Sequence, residues 1–228
     1  MGKRRRTAGG GVREDWSYGG YAAKYGVVKG GEYDIGTGHV KCCDLTEELP
    51  EFMKRAQVIF VDPPCSQGNL QSFYTKAGEG RPWPFDQFLC KLFSHIMEIA
   101  PFACFVEAFA SNLEDVKALM SSAGFRHVTA IHSHYYHNRK NQCWIVAGVN
   151  KEPEGWEDWC MSVHDMDEQS IIREICSAIM PKSTIGDLCM GRGLVGYYAN
   201  KIGRPFVGTE LNPSRLAVLF ERIKTGKL

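Results

Sequence analysis

In the stretch VIFVDPPCSQGN, residues 58–69, a short apolar run ends in Asp62-Pro63-Pro64-Cys65. A carboxylate at the end of a buried strand can accept hydrogen bonds or a proton, and prolines fix the backbone beside it, so the Pro63 carbonyl becomes a second positioned acceptor. Cys65 admits three readings: a nucleophile, a packing residue, or a substitute for a side chain the chemistry would otherwise use. Aromatic residues follow closely at Phe73, Tyr74 and Trp83.

A second constellation lies towards the C-terminus. In TIGDLCMGRGLVGYYANKIGRPFVGTEL the pattern predicts a strand ending in Asp187-Leu-Cys189-Met-Gly191-Arg-Gly193, then a helix, then a strand ending at Glu210. Glycines let the backbone approach a ligand closely, and an acid closing the second strand can hold two ribose hydroxyls; the Asp187 to Glu210 spacing fits the roughly 20 residues of such units. An acid ahead of the glycines would repel a pyrophosphate and suits a cationic ligand. S-adenosylmethionine, with its sulfonium and amino group, is a ligand of that kind. A plain helix-packing turn is the bland alternative.

These groups need a scaffold, and the rest of the chain predicts one. QVIFVD is a compact buried strand, PWPFDQFLCKLFSHIMEIAP has apolar residues at helical spacing, and ACFVEAF is a further apolar run. LEDVKALMSSAGF reads as a helix, HVTAIHSHYYH as an extended segment and QCWIVAGV as a strand. SIIREICSAIM, LVGYYANKIG and PSRLAVLFERI read as helices, and TEELPEFMKRA as a short helix from Thr46. Strands alternating with helices predict an α/β fold with a largely parallel sheet.

The expected organisation is a flexible basic and glycine-rich arm over residues 1–31, then a single domain over 32–228. That domain divides into a catalytic half (32–150), a short linker (151–168) and a cofactor half (169–228). With 44% hydrophobic and 23% charged residues, the composition is that of a globular protein. No apolar run approaches the roughly 20 residues of a membrane helix, and the start MGKRRRTAGGG lacks the apolar core of a secretion signal, so a cytoplasmic protein is expected. Nine cysteines without a Cys-x-x-Cys pair predict reduced thiols, and a net charge of +1 argues against a strongly basic coat while leaving local basic patches open.

Taken together, these motifs resemble the amino-methyltransferases that methylate exocyclic amines of adenine or cytosine in nucleic acids. Their signature is Asp/Asn/Ser-Pro-Pro-Tyr/Phe/Trp at a strand end, matched here by Asp62-Pro63-Pro64-Cys65. The motif order, with the Asp-Pro-Pro strand first and DLCMGRG near the C-terminus, is similar to the permuted beta group of DNA methyltransferases. The likeness covers roughly residues 38–78 and 168–224. It implies a Rossmann-like class I methyltransferase fold, S-adenosylmethionine as cofactor, and DNA in preference to RNA as substrate, with N6 of adenine ahead of N4 of cytosine. It also implies a cofactor site built from Asp44, Asp187, Cys189, Gly191, Gly193, Glu210 and Asn212. Asp62 and the Pro63 carbonyl would accept the amine hydrogens, and GNLQSFYTKAG would form a base-pocket loop.

Cys65 departs from the family pattern, which places an aromatic face there to hold a flipped base. Phe73, Tyr74 or Trp83 would supply that face; a non-catalytic nucleic-acid-binding relative and cytosine-5 methylation through Cys65 remain open. Glu107 at the end of the next strand suits the last of these, but Ala108 stands where the cytosine-5 family has asparagine. Lys76, Arg139 and Lys140 are candidate phosphate contacts. His132, His134 and His137 lack further ligands at convincing spacing, so no metal is expected. Trp156 and Trp159 stack on a base or cover the core. The short linker leaves little room for target recognition, which implies loose sequence specificity, a homodimer or a partner subunit.

Overall fold

The computed structural model describes residues 18–228 except Tyr136, His137 and Arg139. Its strands are β1 (Glu32–Ile35), β2 (Gly38–Cys42), β3 (Val58–Val61), β4 (Ala103–Ala108), β5 (His127–His134), β6 (Gln142–Val149), β7 (Ile185–Asp187) and β8 (Phe206–Glu210). They form one eight-stranded sheet in the order β1-β2-β8-β7-β3-β4-β6-β5. The run β2-β8-β7-β3-β4 is parallel throughout. The antiparallel partners are the β1 edge strand and the β4-β6-β5 end. β3 and β4 are buried at every residue, as strands covered on both faces must be.

On one face lie α2 (Gln67–Ala77), α3 (Phe85–Ile99) and α4 (Leu113–Ser122), which bury Leu70, Leu92, Ile96, Val116 and Met120. On the other lie α5 (Trp156–Val163), α6 (Glu168–Ala178), α7 (Leu194–Lys201) and α8 (Pro213–Thr225), with Trp156, Ile175, Leu216 and Leu219 in the core. Among the described residues no helix is long and apolar enough to cross a membrane.

Four local expectations change. Residues 18–31, assigned to a flexible arm, include a turn of 3-10 helix (Tyr18–Gly20) and α1 (Tyr21–Tyr25), whereas 1–17 lie outside the described residues. Tyr25 explains the difference: its ring packs on Phe220 at 5.8 Å, and its hydroxyl donates to Glu221 at 2.6 Å. The helix expected from Thr46 shortens to a 3-10 turn, Glu51–Arg55, because Pro50 disfavours helical geometry at Leu49 and has no N–H to donate. The linker contains α5, where Trp156 is 3% exposed and stacks on Trp159 at 5.4 Å, so both rings cover the core. GNLQSFYTKAG is not a loop but belongs to α2, which Ser66 caps by accepting the Asn69 N–H at 3.3 Å.

Arg204, just before β8, is 1% exposed. Its guanidinium donates from Nε to the Ser183 carbonyl at 2.9 Å and from one Nη to the carbonyls of Ile175 and Cys176 at 3.1 and 2.7 Å, and its other Nη reaches Ser183 Oγ at 3.2 Å. One side chain thus ties the last turn of α6 to the approach of β7.

Candidate active site

The chain reverses its winding direction between the central strands β3 and β7: β3 leads through α2 and α3 to β4 on one side, and β7 leads through α7 to β8 on the other. Ligands of open α/β sheets bind beyond the carboxyl ends of the strands at such a point. Asp187, Asp62, Glu107 and Glu210 all stand at carboxyl ends of neighbouring strands here.

Asp62 follows Val61, the last residue of β3 to pair with β4. The two prolines cannot extend the ladder, and the Cys65 N–H donates to Asn69 Oδ1 at 3.2 Å as the chain enters α2. The Asp62 side chain opens onto three adjoining chambers. Solvent reaches it through their mouths, yet protein surrounds the cleft. That partial loss of water pushes its carboxyl up to about 6, with Arg215 opposing and Glu210 adding to the rise. If the ionised form does the work, activity rises with pH through about 6 and is lost below it. A pH–rate profile measured from pH 5 to 8 checks this, and a rate indifferent to pH across that window would contradict it.

The first chamber lies between Asp44, Leu45, Pro64, Phe73 and Glu210. Asp44 Oδ1 accepts hydrogen bonds from the Thr46 N–H, the Thr46 hydroxyl and the Tyr74 hydroxyl, each at 2.8 Å. Tyr74 is 5% exposed, so it holds Asp44 in place and does not present a face to a base. The Phe73 ring separates this chamber from the third and packs under Arg215 at 4.6 Å. Glu210 accepts the Gly191 N–H at 2.6 Å through Oε2 and the Asn212 N–H at 3.0 Å through Oε1. Each oxygen keeps a lone pair towards the chamber. Burial raises its pKa, while Arg215 and the two N–H groups hold the rise back.

The second chamber is lined by Asp187, Cys189, Gly191, Arg192 and Glu168. Asp187 accepts the Cys189 N–H at 3.1 Å, and burial drives its carboxyl well above the usual range. Gly191 has φ 55°, and a Cβ there would come within 2.7 Å of an Arg215 Nη, so glycine is what lets the turn close over that guanidinium. Gly193 stands behind the turn: a Cβ there would strike Leu219 at 2.6 Å, which makes it a packing glycine at the start of α7. Asn212 also stands back. It caps α8 by accepting the Ser214 N–H at 2.8 Å and donates Nδ2 to the Lys76 carbonyl at 3.1 Å, joining α8 to α2.

The third chamber opens between Pro63, Cys65, Phe109, Tyr135 and Lys76. Phe109 and Tyr135 form a stacked pair with centroids 5.7 Å apart. Burial, then repulsion from Arg215, lowers the Lys76 pKa. Lys140 is exposed in the β5–β6 turn, and Arg139 lies outside the described residues. Trp83 is 44% exposed beside the start of α2. His132 pairs with Asp165 at 2.5 Å, and His137 lies outside the described residues.

Arg215, Tyr135, Phe109, Arg192 and Glu168 were missed. Arg215 lines all three chambers, but nothing in NPSRLAVLF marks it apart from an ordinary helix cation. Tyr135 lies in HSHYYH, a segment whose alternating histidines are its conspicuous feature.

No family model matches the chain, and no curated protein matches it. Solved structures do. The M1.HpyAVI–SAM complex superposes with a TM-score of 0.59 at 12% identity, over 82% of this chain and 99% of that one. TTHA0409 of Thermus thermophilus, complexed with S-adenosyl-L-methionine, gives 0.58 at 13% identity, over 82% and 93%. The cytosine-N4-specific PvuII DNA methyltransferase gives 0.53 at 11% identity, over 82% and 90%. The chain has the Rossmann-like α/β fold of these methyltransferase structures.

Proposed function

We propose that the protein transfers a methyl group from S-adenosylmethionine to an exocyclic amine of a nucleobase in DNA, with N6 of adenine preferred to N4 of cytosine. The observation that carries this reading is the position of Asp62 where three chambers of different chemistry meet. Structures of the same fold hold S-adenosylmethionine, and one acts on cytosine N4 in DNA.

The residues present fit the cofactor. Glu210 faces the first chamber with both carboxylate oxygens fixed by backbone N–H groups, suited to two ribose hydroxyls, and the neighbouring apolar walls, Leu45, Leu211 and Phe73, suit an adenine. Asp187 and Glu168 in the second chamber suit an ammonium, and Arg192 suits a carboxylate. When bound, the cofactor supplies a methyl group already activated for displacement.

The protein's part is to make the amine reactive and to position it. An exocyclic amine is a poor nucleophile because its lone pair is delocalised into the ring. The Asp62 carboxylate and the Pro63 carbonyl accept its two hydrogens, draw the nitrogen towards a tetrahedral state and fix its direction. The amine proton passes to Asp62, whose raised pKa makes it a better acceptor than an ordinary aspartate. The stacked Phe109–Tyr135 pair takes over the aromatic face that Cys65 does not provide. Tyr135→Ala should raise the KM for DNA about tenfold with a smaller change in cofactor affinity, since a base–aromatic stack contributes about 1–3 kcal/mol. Steady-state kinetics at saturating cofactor measure this, and an unchanged KM would place the base elsewhere.

Mass spectrometry of nucleosides from DNA and RNA treated with the protein and labelled cofactor tests the reading as a whole. N6-methyladenine or N4-methylcytosine in DNA supports it. A covalent adduct on 5-fluorocytosine DNA that vanishes in Cys65→Ser would replace it with carbon methylation. Absence of both cofactor binding and product would favour a non-catalytic nucleic-acid-binding subunit.

A further inference from the structure

Asp62 directly follows β3 and Glu107 is the penultimate residue of the neighbouring parallel strand β4: the last pair of the β3–β4 ladder is Val61 with Val106, so the two acids stand side by side. Glu168 reaches them from the first turn of α6. One carboxylate oxygen from each lies within 4.8 Å of the other two. A point central to three such oxygens is about 2.8 Å or less from each, close to the 2.3–2.6 Å at which calcium is bound by carboxylates and looser than the magnesium distance.

A second observation concerns Glu107 alone. It is 1% exposed, and among the described residues neither carboxylate oxygen has a hydrogen-bond partner. A buried carboxyl left without a donor is costly, and such groups are ordinarily paired or bound to metal. Glu107 has no such pairing and points at the carboxyls of Asp62 and Glu168. Nearby are Arg192, which offsets Glu168 in part, and Asp167, which adds negative charge.

We propose that Asp62, Glu107 and Glu168 together hold a hard divalent cation of calcium's size. Three carboxylates with no imidazole among them select for hard ions over zinc or copper. The three ligands come from separate parts of the chain, which is why no spacing in the sequence announced them.

The measurement is calorimetric titration of calcium chloride into the cofactor-free protein at pH 7. The expected result is saturable uptake of one ion per chain. Affinity should fall at least tenfold in Glu107→Gln and in Glu168→Gln and stay unchanged in Glu98→Gln, a surface control. Glu107→Gln is isosteric, so its melting temperature should stay close to that of the wild type; Glu168→Gln, at a half-buried site, provides a second variant. Lack of saturable uptake, or wild-type affinity in both variants, would overturn the site. The ion site does not depend on methyl transfer. If methyl transfer occurs, calcium should slow it by engaging Asp62, and loss of that inhibition in Glu107→Gln would link the two.

Discussion

Asp62→Ala is expected to lower methyl transfer by about 10³-fold, with cofactor affinity kept within a few-fold. The asymmetry follows from what the side chain touches. The groups suited to the cofactor, Glu210 and Asp187, are held by backbone N–H donors and not by Asp62. Removing Asp62 should leave those chambers formed. What disappears is the acceptor that makes the amine nucleophilic, an interaction that strengthens as the nitrogen gains positive charge and so acts mainly in the transition state. Single-turnover rates with labelled cofactor, together with calorimetry of cofactor binding, separate the two quantities. A parallel loss of binding would mean that Asp62 is a cofactor ligand. Activity unchanged by the substitution would remove the proposed mechanism altogether. Asp62→Asn is the finer probe, because an amide keeps one acceptor oxygen but cannot take the proton; it should retain more activity than alanine and lose the pH dependence near 6.

Arg204→Met should cost about 3–5 kcal/mol of stability, which for a chain of this size corresponds to a fall in melting temperature of about 10 °C. The guanidinium is closed off from solvent and bonds three backbone carbonyls and a hydroxyl. Ile175 and Cys176 belong to the last turns of α6, where carbonyls have few helical partners and the helix dipole favours a positive charge. Methionine fills the volume but takes the guanidinium donors from the Cys176 and Ser183 carbonyls in a dry site, while the Ile175 carbonyl keeps the Ile179 N–H. Burying the charge also costs something, and its removal works in the opposite direction; the net sign depends on the carbonyl bonds outweighing that cost, which the number and shortness of the contacts favour. Thermal melts by circular dichroism test this. A variant as stable as the wild type would show that desolvation of the guanidinium cancels its hydrogen bonds. Arg204→Lys, with its charge kept but its fork lost, should fall between the two.

The strand pattern was largely legible because buried parallel strands are short apolar runs with clear ends, and Asp62, Asp187 and Glu210 could be placed because each ends such a run. What escaped the sequence was what depends on three-dimensional return. Arg215 enters the cleft only because α8 begins directly behind the end of β8. Tyr135 meets Phe109 only through the β4-β6-β5 register. Tyr74 was expected at a base but turned inward because Asp44, 30 residues earlier, takes its hydroxyl. Gly193 and Asn212 sit in the pattern of a ligand turn but serve packing and capping, a distinction that spacing cannot draw. α1 was lost to composition, since glycines and arginines around it masked the two tyrosines that anchor it.

The sheet order has a consequence for synthesis. Residues up to 150 contribute β1 to β6, but β7 and β8 come later in the chain and insert between β3 and β2. Until they are made, two inner strand edges that end up at the centre of the molecule have no partner, and unpaired edges invite association with other chains. The nascent protein therefore cannot close its sheet from the N-terminus onwards in step with the ribosome. It must remain open until residues near 210 have emerged, and a chaperone holding it through that interval should matter more to its yield than to that of a protein whose strands are added in order.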